Sequence, residues 1–404
     1  MTEAATRALA ALFALLTLPL HVVGLYSVAL IALAGLRPSR DAGRAGNASR
    51  KIALLIVAHD EEQVISDSVK SLVAQRYPEG KSSVIVIADR CTDETAERAR
   101  AAGARVLERS GGAAGKSAAV AFGVEALADE FDAVAVFDAD NVADEGFVEI
   151  VAARLETERI VQGFVDSKNP EASWVAGSSA LGFWAIAEGA QAPRERLGLS
   201  TPLMGTGFAI EMELARRVLT TGGGLTDDLD LAARLAPLGV RVAYERNART
   251  VDEKPIRLGT AVAQRHRWMQ GRWTVASQHV PALVRAAFSA PGARTKWTLL
   301  DVAFQLLAPS LLFTAVVMGL LGVTGAAVAW RAGRGGSPFV TASLVGAAVY
   351  YAVPALGIAR HRPGPRVWLC YALQPFYLVL SLPLAVTGFL TRRERRWVRT
   401  PKGV

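Results

Sequence analysis

An α/β domain embedded between N- and C-terminal transmembrane or interfacial helices is the fold class this sequence predicts, and three observations predict it. Of 404 residues, 51% are hydrophobic and only 20% are charged, a high apolar share for a chain lying wholly in water. The excess is gathered at the two ends, in long runs without charge. The middle, from about Lys51 to Arg267, has a mixed composition in which strand-like and helix-like segments alternate.

The first apolar run, Ala8 to Leu36, holds no charged residue and exceeds the ~20 residues needed to cross a bilayer. Glu3 and Arg7 precede it, unlike the basic start of a cleaved signal, so it reads as an anchor. Three more runs follow the middle domain: Trp297 to Trp330, Pro338 to Ala359 and Val367 to Leu390. Arg37, Arg40, Arg44, Arg50 and Lys51, all just after the anchor, predict a cytosolic middle domain in an integral protein of the plasma membrane.

The tail, with Arg392, Arg393, Arg395, Arg396, Arg399 and Lys402, belongs in the cytosol by the same rule. Three crossings after a cytosolic domain would leave it outside, so one run should fail to cross. Pro375 and Pro383 mark the last run for a broken or interfacial helix, and Pro309 marks the first part of the second. The expected organisation is an anchor and linker over 1–50, a cytosolic α/β domain over 51–268, an interfacial helical region over 269–296, and membrane helices with a basic tail over 297–404.

The net charge of +8 gathers at membrane edges, where anionic lipid explains it better than nucleic acid. Cys91 and Cys370 are too few for a disulfide framework or a metal cluster, and they fit a reducing compartment. Asp41 to Ser49 reads as a linker and Gly111 to Gly115 as a small-residue loop.

Within the middle domain, apolar runs at Ile52 to Ala58, Ser83 to Ala88, Arg105 to Leu107 and Ala133 to Phe137 predict strands. Glu62 to Gln75, Thr92 to Ala102 and Lys116 to Ala128 predict the helices between them. That order implies a parallel sheet with helices on both faces and a ligand at the carboxyl ends of its strands. Acids fall at those ends: His59-Asp60-Glu61-Glu62, then Asp89, then Asp138-Ala139-Asp140. A single acid there is often only a helix cap; three successive strand ends carrying acids point to a site. Asp138 and Asp140, two apart on an extended segment, would face one side and could hold a divalent cation against a diphosphate. Lys116, after flexible Gly115 and opening a helix, could supply positive charge to the same phosphates.

Seven ordered motifs carry a resemblance. They are V-A-H-D-E-E at 57–62, A-D-R-C-T-D at 88–93, G-K-S at 115–117, F-D-A-D at 137–140, G-T-G-F at 205–208, T-D-D at 226–228 and Q-R-H-R-W at 264–268. In this order the chain resembles the membrane-bound family 2 glycosyltransferases, the group of cellulose, chitin, hyaluronan and poly-N-acetylglucosamine synthases. The resemblance implies a GT-A type domain. By it, Glu61 and Asp89 contact the uridine of a UDP-sugar, Asp89 through the uracil N3–H, and Lys116 and Asp138 bind the nucleotide-sugar. Asp140, with Asp138, would ligate Mg2+ or Mn2+.

Gly205, Thr206 and Gly207 match the loop beside the acceptor, where small residues allow close approach. Asp228 matches the general base that takes the acceptor hydroxyl proton, and Asp227 stands where the family usually has Glu, so the base lies within this pair, with Asp230 a weaker candidate. One base opposite the leaving group inverts the anomeric centre. Gln264, Arg267 and Trp268 match the Q-x-x-R-W signature, with Trp268 offering a stacking face and Gln264 and Arg267 reaching the diphosphate.

The implied function is transfer from a UDP-sugar to a growing β-linked polysaccharide at the cytosolic face, with export of the polymer an option. Transfer of one sugar to a lipid acceptor is the alternative, and a catalytically silent nucleotide-sugar sensor a lesser one. So few membrane segments leave room for a homo-oligomer around a polymer path.

Overall fold

The structure, a computed structural model, describes residues 3–37, 50–220, 227–331 and 338–392, with the side chains of residues 3–10 and of Asp227 outside the description. The expected linker at Asp41 to Ser49, Thr226, and the tail from Arg393 onward lie outside the described residues.

Eight strands among the described residues form one sheet: β1 (Ile52–Ala58), β2 (Ser82–Asp89), β3 (Arg105–Arg109), β4 (Ala133–Asp138), β5 (Val142–Ala143), β6 (Ile160–Ser167), β7 (Phe208–Glu211) and β8 (Ala243–Asp252). Their order is β3-β2-β1-β4-β7-β6-β8-β5. The four strands legible as apolar runs pair in parallel with one another, β2 and β4 flanking β1 and β3 outside β2. Ile52 to Ile56 are buried without alternation, because helices cover this half of the sheet on both faces. Helices Ile65–Val73 and Phe147–Leu155 pack on one face, and Lys116–Leu127 and Met212–Leu219 on the other.

The expectation of a parallel sheet fails at β7 and β5, while β6 and β8 pair in parallel. β7 runs antiparallel to both β4 and β6, and β5 antiparallel to β8, so the sheet is mixed. The cause is the turn at Gly205 to Gly207, which brings the chain in at the carboxyl end of β4: the Gly207 N–H donates to the Val136 carbonyl at 2.8 Å, and β7 can only run back along β4.

Two early helices begin later than the sequence pattern suggests, at Ile65 and Thr95 instead of Glu62 and Thr92. Side chains compete for the backbone there. Asp93 accepts from the Thr95 N–H at 3.0 Å and the Glu62 N–H at 3.2 Å, and Asp60 from the Thr92 N–H at 2.7 Å, which binds the β1 and β2 loops to each other.

Among the described residues, four apolar stretches are long enough to cross a membrane: Ala11–Gly35, Leu311–Arg331, Pro338–His361 and Pro365–Leu390. The first three pack side by side as a bundle, with Ala315, Met318 and Tyr350 buried against Leu20, Val28 and Ala347. The run expected from Trp297 to Trp330 is two helices, Ala293–Leu307 and Leu311–Arg331, parted at Pro309; the first packs on the long helix Leu258–Ser289. That long helix runs through Trp268 and Met269 unbroken, so the domain limit expected there falls inside one helix.

The last apolar stretch differs from the other three. It divides into Pro365–Val379 and Ser381–Leu390, because the Pro383 ring leaves no room for the carbonyl of Val379 in a continuing helix. The first piece lies on helix Trp174–Ile186, with Gln374 Nε2 donating to the Ser178 carbonyl at 3.1 Å and Tyr377 hydrogen-bonded to Ser179 at 2.7 Å. The second lies on helix Leu258–Ser289. Trp273 Nε1 donates to the Ala385 carbonyl at 3.0 Å, and a β-carbon on Gly388 would stand 2.7 Å from the Met269 Cβ.

Candidate active site

The carboxyl ends of β1, β2 and β4 and the turn before β7 meet at one edge of the sheet. Lys116 opens its helix there. Its Nζ donates to Asp138 Oδ1 at 2.5 Å and to the Gly205 carbonyl at 2.7 Å, so one ammonium joins the F-D-A-D and G-T-G-F segments. Gly205 and Gly207 both take positive φ, +75° and +62°, which glycine adopts without a Cβ clash. The Asp138 N–H donates to Asn141 Oδ1 at 2.9 Å and to Thr206 Oγ1 at 3.0 Å, and Thr206 and Asn141 bond each other. Buried Gln162 holds the far side of the turn, donating to the Thr206 carbonyl at 2.9 Å and accepting from the Met204 N–H at 2.9 Å.

Asp138 and Asp140 are not two positions of one extended strand. β4 ends at Asp138, and Ala139-Asp140 form a turn closed by the Asn141 N–H on the Asp138 carbonyl at 3.1 Å. Both carboxylates act electrostatically on Asp252 at the end of β8. Burial pushes the Asp252 carboxyl up, against the pull of Lys254, whose Nζ lies 2.5 Å from Asp252 Oδ1. Partly exposed carboxylate oxygens such as those of Asp138 and Asp140 suit a hard divalent cation such as Mg2+ or Mn2+.

Asp228, on helix Asp227–Leu235, faces the same turn. A β-carbon on Gly205 would stand 3.7 Å from Asp228 Oδ2, and Lys116, Gly205, Phe208, Asp228 and Arg234 line one pocket. Asp227 opens the helix, and its side chain lies outside the description. Asp230 is committed elsewhere, to His279 Nε2 at 2.8 Å and Arg234 Nε at 2.9 Å. Burial raises its carboxyl, and those partners more than reverse this and hold it below the usual range.

Glu61 and Asp89 lie at the neighbouring strand ends. The Glu61 N–H donates to Thr95 Oγ1 at 2.8 Å, and His59 Nδ1 meets the Asp89 carbonyl at 2.7 Å. Asp89 is buried, its Oδ1 shared by Arg109 Nη1 at 2.5 Å and Arg90 Nη1 at 3.0 Å.

Gln264, Arg267 and Trp268 share one face of the long helix by their i, i+3, i+4 spacing. The Trp268 ring meets Phe183 edge-on at 6.3 Å, and Phe183 in turn carries the buried Lys254 ammonium 3.0 Å from its ring centroid. Trp268, Phe183, Lys254 and Asp252 thus form one chain of contacts. Sequence reasoning missed Lys254, Asp252, Asn141 and Gln162; of these only Asn141, directly after F-D-A-D, lay within reach of a motif.

This architecture is the GT-A fold of glycosyltransferases. Residues 49–271 match the family model of glycosyltransferase-like family 2, and the chain belongs to that family. It is 24% identical over 238 residues to the probable glycosyltransferase YdaM of Bacillus subtilis, 55% of each chain. It is 31% identical over 202 residues to the β-monoglucosyldiacylglycerol synthase of Nostoc sp., covering 46% of this chain and 41% of that one. The Synechocystis synthase of the same name is 30% identical over 244 residues, 55% of this chain and 47% of its own. The chain spans about half the length of these curated relatives. Among solved structures, the mannosyltransferase PcManGT of Pyrobaculum calidifontis, in complex with GDP-Man and Mn2+, aligns over 93% of this chain and 100% of its own with TM-score 0.55 and 19% identity, a likeness of fold.

Proposed function

We propose that this protein is an inverting, divalent-cation-dependent glycosyltransferase that moves one sugar from a UDP-sugar to a lipid acceptor at the cytosolic face of the plasma membrane. The observation that carries the reading is the pocket in which Lys116 and Asp228 flank Gly205, donor-side cation and acceptor-side base across one turn. Lys116 and Asp138 hold the diphosphate end, with Asp89 and Glu61 at the nucleoside. Asp140, with Asp138, holds Mg2+ or Mn2+, which supplies Lewis-acid stabilisation to the departing diphosphate when bound. Asp228 takes the acceptor hydroxyl proton as the bond forms on the opposite face, which inverts the anomeric centre. Thr206, Gly207, Gln264, Arg267 and Trp268 frame the acceptor.

A lipid acceptor is favoured over the polysaccharide because three of the four long apolar stretches among the described residues pack as one small bundle, and the divided fourth lies in part on the long helix that carries Trp268. The relatives named β-monoglucosyldiacylglycerol synthase support it. In this reading Pro365–Leu390 lies along the cytosolic surface, which returns the basic tail to the side of the catalytic domain. The test is incubation of detergent-purified protein with radiolabelled UDP-sugars and diacylglycerol-containing vesicles. A single organic-soluble product is expected. A water-soluble polymer would replace the lipid reading with the polysaccharide one, and transfer from no UDP-sugar would overturn the donor.

A further inference from the structure

Arg90, inside the A-D-R-C-T-D segment, and Arg109 make contacts to which the motifs assign no role. Arg90 follows β2 with φ +55°, in the left-handed region where asparagine and glycine are at home and a long side chain is strained. Its N–H is fixed to the Arg109 carbonyl at 2.8 Å. From that backbone its guanidinium reaches three acceptors: Asp89 Oδ1 at 3.0 Å, the Gly112 carbonyl at 2.5 Å and the Gly111 carbonyl at 3.3 Å. Arg109, buried at the end of β3, donates to the same Asp89 oxygen at 2.5 Å and to the Ala113 carbonyl. Two guanidinia on one carboxylate oxygen therefore hold three successive carbonyls of an exposed segment.

That segment, Ser110 to Gly115, is Ser-Gly-Gly-Ala-Ala-Gly, with no side chain large enough to anchor itself. It runs straight into helix Lys116–Leu127, whose first residue bonds Asp138 and Gly205. The connection is physical and short: Asp89, its two arginines, the small-residue loop, Lys116.

We propose that Arg90 is a positioning residue that couples nucleoside recognition at Asp89 to diphosphate binding at Lys116. It rests on the donor reading above. A nucleoside that engages the Asp89 carboxylate acts on the same groups that place the loop, and the loop places Lys116. Arg90 is the adjustable member of the pair, since its side chain is partly exposed while that of Arg109 is buried.

The test compares UDP, UMP and GDP binding to the detergent-purified full-length wild type, Arg90→Asn and Arg90→Lys by calorimetry, with thermal melting alongside. Asparagine accepts the left-handed backbone and cannot reach Gly111 or Gly112, so the melting temperature should hold. UDP affinity should fall about tenfold in Arg90→Asn while UMP affinity stays within about twofold, the size of an ordinary coupling. Arg90→Lys, which keeps the charge and can reach one carbonyl, should recover part of the loss. An equal loss for UDP and UMP, or no change in either, overturns the coupling. A wild type that binds GDP and ignores UDP overturns the uridine reading instead, and the same comparison with GDP and GMP then decides the coupling.

Discussion

Asp228 stands across Gly205 from Lys116: its Oδ2 would lie 3.7 Å from a β-carbon on that glycine, whose carbonyl accepts from Lys116 Nζ at 2.7 Å. The space beside Gly205 is ordinary van der Waals space, and the constraint is the backbone, at φ +75°. Gly205→Ala should therefore cost about 1–2 kcal/mol of stability, read from chemical denaturation of the purified protein. Turnover should fall further than stability, because relaxing the turn moves the Lys116 acceptor. Unchanged stability and turnover would show that the left-handed turn is not required.

Asp228→Asn keeps size and removes the proton acceptor. Turnover should fall by at least ~10² with UDP-sugar affinity little changed. Asp227→Asn is the control for the neighbouring acid. Near-normal transfer in Asp228→Asn, with loss in Asp227→Asn and UDP binding intact, would move the base by one residue.

Activity should be lost in EDTA and restored by excess Mg2+ or Mn2+. Asp140→Asn should weaken Mn2+ binding measured directly, by calorimetry or electron paramagnetic resonance, as well as turnover. Full turnover in metal-free buffer would remove the cation from the proposal.

Glu195 tests the buried frame behind the site. Its carboxylate accepts from Arg154 Nη2 at 2.6 Å, Arg241 Nη1 at 2.8 Å and the Tyr244 N–H at 2.9 Å. Burial raises the carboxyl, but the attraction of Arg241 and the hydrogen bonds outweigh it, and the group lies below its ordinary value of 4.5. A depressed carboxyl adds stability that is present above that ordinary value and lost as pH falls through the lower folded value. Glu195→Gln should thus cost about 3 kcal/mol at neutral pH, and the gap to wild type should close in acid. A gap that is constant from neutral pH into acid would show that the charge contributes nothing.

The membrane arrangement is open to labelling. In a background with Cys91 and Cys370 replaced by serine, Trp330→Cys, at the far end of Leu311–Arg331, should react with an impermeant thiol reagent outside intact cells. Arg366→Cys, at the start of the interfacial stretch, should react only after permeabilisation. Labelling of both from outside would mean that Pro338–His361 does not cross.

Much was legible from residues alone. Strands β1 to β4 are local apolar runs, and both the placement of acids at their ends and the ordered motifs are readable without knowledge of packing. The apolar stretch Ala11–Gly35 follows from composition, and the breaks near Pro309 and Pro383 from the proline ring, whereas Pro375 sits inside a continuing helix. The reversal of β7 was not legible, because a four-residue strand carries too little pattern and its direction is set by where the Gly205 turn meets β4. Nor could sequence show that Asp230 is spent on His279, 49 positions away, or that Lys254 lies under Phe183 beside the acids. Those pairings are decided by tertiary contact: local propensity says which residues sit at a strand end, while only the packed chain decides which distant charge stands next to them.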